Sequence, residues 1–386
     1  MVRFLWGGTV AFATILQAGV APAATVEERV EQLHGVLTKD ATGQIIEINL
    51  ENSPASLDDV RQLTDLPKLK KLRLWGPNIT DEAVDVVVKF PELVDIAFIT
   101  TKVTNAAIPK LAAAKKLRVV SFQGSGGVNN DGMDALAKMK DLTHVSVCYT
   151  AVDVDGILKL GTLKKLKLLD VRGCRMTDDA FKIVAQLPAL VALKCRSPAV
   201  SDAGLVHLKD AKQLRGLHLE DAGITDEGMK SLAGLTVLDD LSLMRAPISS
   251  EGLAALADMT KMRQLNLRGT YVDDEGLKHL AGMKDLMKLD LSETGVAGPG
   301  LANLAGAKLE WLTLWNSFCD DAALDHVAKL ASLKTLTLDA TQISDAGLAK
   351  LKPLKNLKSL SIAQTSISPQ AVADLEATIA GLKVTR

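Results

Sequence analysis

Residues 214–229 read LRGLHLEDAGITDEGM, and the same wording returns as LKKLRLWGPNITDEAV from Leu69 and as LKTLTLDATQISDAGL from Leu333. Each copy changes character halfway. In its first half, leucines such as Leu72 and Leu74 alternate with polar residues, the two-residue period of a strand with one face buried. In its second half, apolar residues such as Leu277, Leu280 and Met283 recur every three residues, which fits one face of a helix better than any strand. The unit is therefore strand, turn, helix. One such unit cannot bury its own apolar stripe, so neighbours must stack around a shared core.

From residue 45 the chain is written in this unit with a period of 24, and a period of that length signals a solenoid. Repeats start at Ile45, Leu69, Leu93, Leu117, Leu142, Leu166, Leu190, Leu214, Leu238, Met262, Leu286, Leu309, Leu333 and Leu357, about fourteen units. The one from Leu117 has an extra residue and the one from Leu286 lacks one.

The pattern LxxLxLxxTxITDxGLxxLxxL resembles leucine-rich repeats, in particular the helical, ribonuclease-inhibitor-like class and bacterial exported repeat proteins. The resemblance covers residues 45–386. It implies an α/β fold: a curved horseshoe with a parallel sheet on the concave face and helices on the convex face. It says little about function, because one fold hosts many. The asparagine usual at the ninth repeat position is replaced here mostly by small or hydroxyl residues, such as Ser125, Thr150, Cys174, Thr270, Thr294, Thr341 and Thr365. These hydroxyls can bond backbone groups where the strand turns.

The flanks complete the organisation. Residues 1–24 place Arg3 before an apolar run that ends at Ala21-Pro22-Ala23, the form of a signal peptide with an A-x-A cleavage site. The expectation is an exported chain, periplasmic or extracellular, with no membrane span after cleavage. Residues 25–44 are expected to form an N-terminal capping helix, residues 45–386 the repeat domain, and the last repeat, 357–386, its C-terminal cap. Over the full 386 residues, 45 basic against 46 acidic side chains give a net charge of −1, which calls for neither nucleic acid nor an anionic membrane.

Three local stretches suggest chemistry. YVDDEGLKHL, 271–280, has the acids and histidine of a divalent-metal site. Asp273 nevertheless occupies a position held in other repeats by Ser56, Thr80, Thr104, Asn129, Asp153, Thr177, Ser201, Thr225, Ser249, Asp320, Ser344 and Ser368, the residue types that cap helix N-termini. Only Ala297 breaks the series. The acids that follow lie in the first helical turn, where the helix dipole favours negative charge. His279 shares its repeat position with His207 and His326 and is inherited with the unit. QGSGGVNNDG, 123–132, lacks phosphate-loop spacing and is read as absorbing the extra residue of its repeat. Cys148, Cys174, Cys195 and Cys319 do not superpose for bridging and are expected as free thiols; His144 is the one base near Cys148 in repeat position.

What remains free to act is the outward set on the strands, which differs from repeat to repeat. Arg172, Lys194, Arg196, Arg215, Arg245 and Arg268 form a basic run interleaved with Glu220, Asp221, Asp239 and Asp240, with His218 among them. Trp75 near one end and Trp311 with Trp315 near the other are aromatic anchors. The candidate partner-binding residues are Trp75, Arg172, Lys194, Arg196, His218, Glu220, Arg245, Arg268, Trp311 and Trp315. The expected function is a non-catalytic, monomeric binding module for a protein or peptide, with a carbohydrate or cell-envelope polymer as the alternative ligand. No catalytic set, metal or cofactor is expected.

Overall fold

The computed structural model describes residues 24–386, so all but the last residue of the expected signal peptide lies outside the described residues. The strands form one open sheet of 16 in strict chain order, and every pairing after the first is parallel. Equivalent leucines stand side by side down the sheet: Leu217, Leu241, Leu265, Leu289, Leu312 and Leu336 are consecutive partners. All are buried and belong to one continuous core that runs the length of the stack. Among the described residues no helix is long and apolar enough to cross a membrane.

The helical halves are tighter than α-helices in several repeats. Gly252–Leu256, Gly276–Leu280 and Pro299–Leu304 are 3₁₀ helices, while Asn130–Leu136 and Val154–Lys159 are α. The three-residue spacing of Leu277, Leu280 and Met283 is the 3₁₀ period itself, in which residues i and i+3 eclipse. Packing is the reason: an α-helix is about 10 Å across, whereas neighbouring strands are only about 4.8 Å apart. The helical face must therefore be longer than the strand face, which bends the solenoid with the sheet inside.

Capping follows the sequence at most repeats, and a second tie joins neighbouring repeats. Ser201, Thr225 and Ser344 accept backbone N–H bonds at their helix starts, and Asp273 accepts from the Glu275 N–H at 3.1 Å. Thr80 and Thr177 make no such side-chain cap. The aspartate after the cap reaches into the next repeat: Asp202 accepts the Thr225 N–H at 2.8 Å and its hydroxyl at 2.7 Å, and Asp226 does the same for Ser249. These acids clamp repeat to repeat, beyond complementing a helix dipole. The clamp explains the small residue that follows, since a Cβ at Gly228 would strike the Asp202 carboxylate and one at Gly252 the Asp226 carboxylate.

The hydroxyl positions behave as expected. Thr150, Thr270 and Thr294 each donate to the carbonyl three residues back at 2.7 Å, fixing the turn out of the strand. In the glycine-rich stretch, Gly124 is left-handed at φ 68°, Asn129 caps the following helix, and Asn105 and Asn129 exchange hydrogen bonds. The glycines serve the backbone, as the extra residue requires.

The N-terminal end differs from the single capping helix expected over 25–44. Helix α1, Val26–Gln32, carries a Thr25–Glu28 capping box and covers the core edge with Val30. The chain then turns at His34, φ 56°, into strand β1, Val36–Lys39, which pairs antiparallel with β2, Ile45–Asn49. Asp40 and Gly43, φ 83°, close the hairpin, with the Asp40 carboxylate taking the Thr42 and Gln44 N–H groups. Arg29 ties the helix to the buried Asp59 of the first repeat at 2.7 Å. At the other end a last strand, Lys383–Thr385, pairs with Ser359–Ser361 beyond the helix Pro369–Thr378.

Candidate binding surface

Strand alternation places three columns of side chains on the concave face. One runs through Lys71, Asp95, Val119 and His144 and reaches Trp311; the next through Arg73, Ala97, Ser121 and Ser146 and on to Lys194 and His218. The third contains Trp75, Arg196 and Glu220, and the chain stays in line at Arg172, Arg268 and Trp315, two residues past their strands. Nine of the ten candidate residues thus share the face. Arg245 does not sit on a strand: it follows Asp240–Ser242 and lies in the turn with φ 58°.

That turn position has a property the sequence hid. Thr100, Tyr149, Asp221, Arg245, Glu293, Asn316, Ala340 and Gln364 are all left-handed at φ between 51° and 58°, at the place where Gly76, Gly173 and Gly269 stand in other repeats. A non-glycine residue there costs on the order of 1 kcal/mol. The cost is met by the neighbouring repeat: the N–H groups of Tyr149, Asp221 and Arg245 donate to the carbonyls of Arg172, Met244 and Arg268 at 2.9, 2.8 and 2.7 Å.

The side chains so placed lie along the sheet edge and link repeats. Tyr149 lies against Gly173, where a Cβ would collide with its ring, and its hydroxyl accepts from Arg196 at 3.2 Å. Arg196 and Arg245 converge on Asp221 from the two sides. Arg268 pairs with Glu293 at 2.6 Å and stacks over the Trp315 ring at 4.8 Å from its centroid. The result is a brace across the middle of the sheet in which the candidate arginines are already held by acids of their own chain. Hydrogen bonding from Arg245 holds the Asp221 carboxyl below its usual range against the opposing effect of burial.

Two further groups lie at the centre. Arg172 grips the buried Asp170 with two bonds, 3.0 and 2.7 Å. His218, its side chain 15 % exposed, stands between Asp240 at 3.1 Å and Glu220 at 3.8 Å. Lys194, next to His218 in its column, has no carboxylate within ion-pair distance among the described residues. Trp75, Trp311 and Trp315 are half-buried, so they are less exposed than free anchors. The most exposed aromatics lie outside the candidate set: Tyr271 at 72 %, Phe318 at 63 % and Tyr149 at 51 %.

The chemistry suggested by single stretches dissolves in this geometry. All four cysteines are free and buried. Burial pushes the Cys148 and Cys195 thiols up to about 12 and Cys319 to about 11, so none is a thiolate at neutral pH. Cys148 contacts Ser146 Oγ at 3.2 Å, while the ring Nδ1 of His144 is bonded to Thr143. In YVDDEGLKHL, Asp273 is held by its Ser250 partner and by capping bonds that keep its carboxyl low. Among the described residues no group of three or more His, Cys, Asp or Glu is placed to hold a metal ion. EDTA is accordingly expected to leave the melting temperature unchanged, and Asp273→Ala to cost about 1 kcal/mol through loss of the cap. A rise of several degrees on adding calcium or zinc would contradict this assignment.

A family model described as "Leucine Rich repeat" matches residues 214–233. Among solved structures, an internalin from Listeria monocytogenes aligns at 16% identity and TM-score 0.52 over 93% of this chain and 93% of its own. A leucine-rich-repeat protein of Leptospira interrogans aligns at 17% and 0.51 over 83% and 91%. A TLR13 chain in complex with single-stranded RNA aligns at 16% and 0.52 over 85% of this chain and 50% of its own. Among curated proteins, none matches the sequence. The fold is the open leucine-rich-repeat horseshoe.

Proposed function

We propose that this leucine-rich-repeat protein is a non-catalytic binding module that holds a protein or peptide against the concave sheet. The observation that carries this reading is the brace from Tyr149 to Trp315. It fixes a patterned set of cations, acids and aromatics across neighbouring repeats along the edge of the concave sheet, whose outward residues vary from repeat to repeat. Side chains fixed before encounter lose less entropy on binding, and alternating charge suits an oppositely patterned polypeptide. A uniform polyanion would meet arginines already neutralised in place. A sugar stacking on Trp315 would find one ring face covered by Arg268. A solved neighbour carries RNA, so the fold alone is neutral on partner class.

The pairing decides which substitutions test the surface. Arg196→Glu and Arg268→Glu would each set a carboxylate against Asp221 or Glu293 and disturb the brace itself. Lys194→Glu with His218→Gln changes the centre without removing a paired arginine. The double variant is expected to bind a polypeptide captured from the envelope fraction at least about tenfold more weakly, with its melting temperature within about 2 °C of wild type. Unchanged capture would place the functional surface elsewhere, and retention on insoluble envelope polysaccharide that is lost on Trp75→Ala with Trp315→Ala would favour the alternative ligand at the concave face. Export is part of the proposal, and N-terminal sequencing of the chain recovered from that fraction checks it.

A further inference from the structure

The charges outside the concave face are sorted by rim. Helix starts carry acids, whereas the loops that lead from each helix into the next strand carry lysines, including Lys70, Lys115, Lys164, Lys212, Lys284 and Lys355. All six are exposed, and none has a carboxylate partner among the described residues. Several are anchored by donating to backbone carbonyls, which spaces the ammonium groups along the rim. Lys115 bonds Ala112 at 2.9 Å, Lys164 bonds Gly161 and Gln186 at 2.8 Å, and Lys212 bonds Gly234 at 2.9 Å. Other rim lysines are offset by local acids, as in Lys116–Glu92 and Lys165–Asp141. The unpaired ones still recur along the stack at multiples of the strand spacing, about 4.8 Å, over a length on the order of 60 Å.

We infer that this lysine rim is a docking strip for a linear anionic polysaccharide, one carrying a carboxylate on successive sugar units. Three observations favour that class. Apart from Arg263, which bonds the Met287 sulfur, the rim cations without a carboxylate partner are lysines, compact hydrated point charges suited to single carboxylates; the arginines suited to bidentate anion recognition are paired with acids, Arg118 and Arg215 on the rim and Arg172, Arg196, Arg245 and Arg268 on or beside the concave face. The large exposed aromatics Tyr149, Tyr271 and Phe318 lie in turns at the other ends of the strands, so the rim offers a single-stranded nucleic acid no stacking platform. Val237 is the one large exposed apolar side chain at the junctions among those described, which leaves a bilayer nothing to anchor. A repeating polymer can meet cations repeat by repeat and thread past the interspersed acids.

The test uses the full chain, with polygalacturonate as probe and anionic phosphatidylserine vesicles and single-stranded DNA as competitors. Lys70, Lys167 and Lys261 are exposed and carry no side-chain hydrogen bond, so Lys70→Glu, Lys167→Glu and Lys261→Glu can be combined without disturbing a capped carbonyl. Wild type is expected to bind polygalacturonate at low salt and to lose binding as salt rises past about 0.2 M. The triple variant should bind at least about tenfold more weakly at an unchanged melting temperature. A Glu227→Lys control on the opposite rim should bind as wild type does. Absence of wild-type binding at low salt, an unaffected triple variant, or tighter binding to DNA or vesicles than to polygalacturonate would each overturn the assignment. A triple variant that melts early would be replaced by Lys70→Gln, Lys167→Gln and Lys261→Gln, for which the same loss is required.

Discussion

Arg172→Met is expected to destabilise the protein by about 3 kcal/mol at neutral pH, because it leaves the Asp170 carboxylate buried without the guanidinium that satisfies it. Asp170 is 7 % exposed and faces the middle of the sheet, where its two bonds from Arg172 are the only charged pairing it has among the described residues. Arg172 itself is about one-third exposed, which keeps the expected cost at the lower end of values for buried pairs. The pH dependence follows from the direction of the shift. Burial pushes the Asp170 carboxyl up, but the bonds from Arg172 outweigh it and hold the carboxyl below its usual range. A carboxyl depressed in the folded state contributes stability that is present above its unfolded value, near 4, and is lost as pH falls through the folded value. Without the guanidinium only Cys148 and the backbone N–H of residue 172 oppose burial, so the carboxyl rises and the variant is relieved by protonation. Urea titrations should therefore show the gap between wild type and variant widest near pH 7 and narrowing below about pH 5. A gap that stays constant with pH would mean that lost packing of the arginine stem, and not the carboxylate, is what the substitution removes.

The fold was legible because the repeat states it many times over: the switch from alternation to a three-residue spacing separates Leu72 and Leu74 from Leu277 and Leu280 in every reading. The caps were legible for the same reason, since Ser201, Thr225 and Ser344 occupy equivalent places. The N-terminal hairpin is written in Asp40-Ala41-Thr42-Gly43, a turn signal next to β-branched and apolar residues, but the strong helix start at Thr25 masks it. The brace was not legible. Tyr149, Asp221, Arg245 and Glu293 share a left-handed backbone that nothing in their identities requires, because the hydrogen bond that holds it comes from the next repeat. Once the backbone is known, their direction along the sheet edge follows, and with it the pairing of Asp221 with arginines on both sides. Charge composition could place basic and acidic residues in one neighbourhood; only the turn geometry shows that they satisfy one another.

The repeat that lacks a residue supplies the sharpest test of the aspartate clamp. Its cap position is Ala297, which has no side-chain acceptor, and Gly298 adopts φ 134° before Pro299 starts the 3₁₀ helix. The acceptor is supplied by the preceding repeat: Asp274 takes the N–H groups of Ala297 at 2.8 Å, Gly298 at 3.0 Å and Gly300 at 2.7 Å. Gly298 and Gly300 are buried, so water cannot readily replace the carboxylate. Elsewhere a clamp aspartate such as Asp226 serves one N–H and a serine hydroxyl, and the local Ser249 still caps its own helix if the aspartate is removed. Asp274→Ala strands three donors with no local substitute, and at about 1 kcal/mol or more for each unsatisfied group the expected loss is about 3 kcal/mol. Asp226→Ala should cost about 1 kcal/mol in the same urea titration, and Asp274→Asn, which keeps one acceptor oxygen, should fall between the two. Equal losses at Asp274 and Asp226 would show that the short repeat is held by its apolar packing, through Leu301 and Leu304, and that the clamp adds nothing special there. The larger loss at Asp274 would locate the weakest junction of the solenoid. Opening should then begin between the repeats from Met262 and Leu286, because each unit of a linear stack is held only by its neighbours.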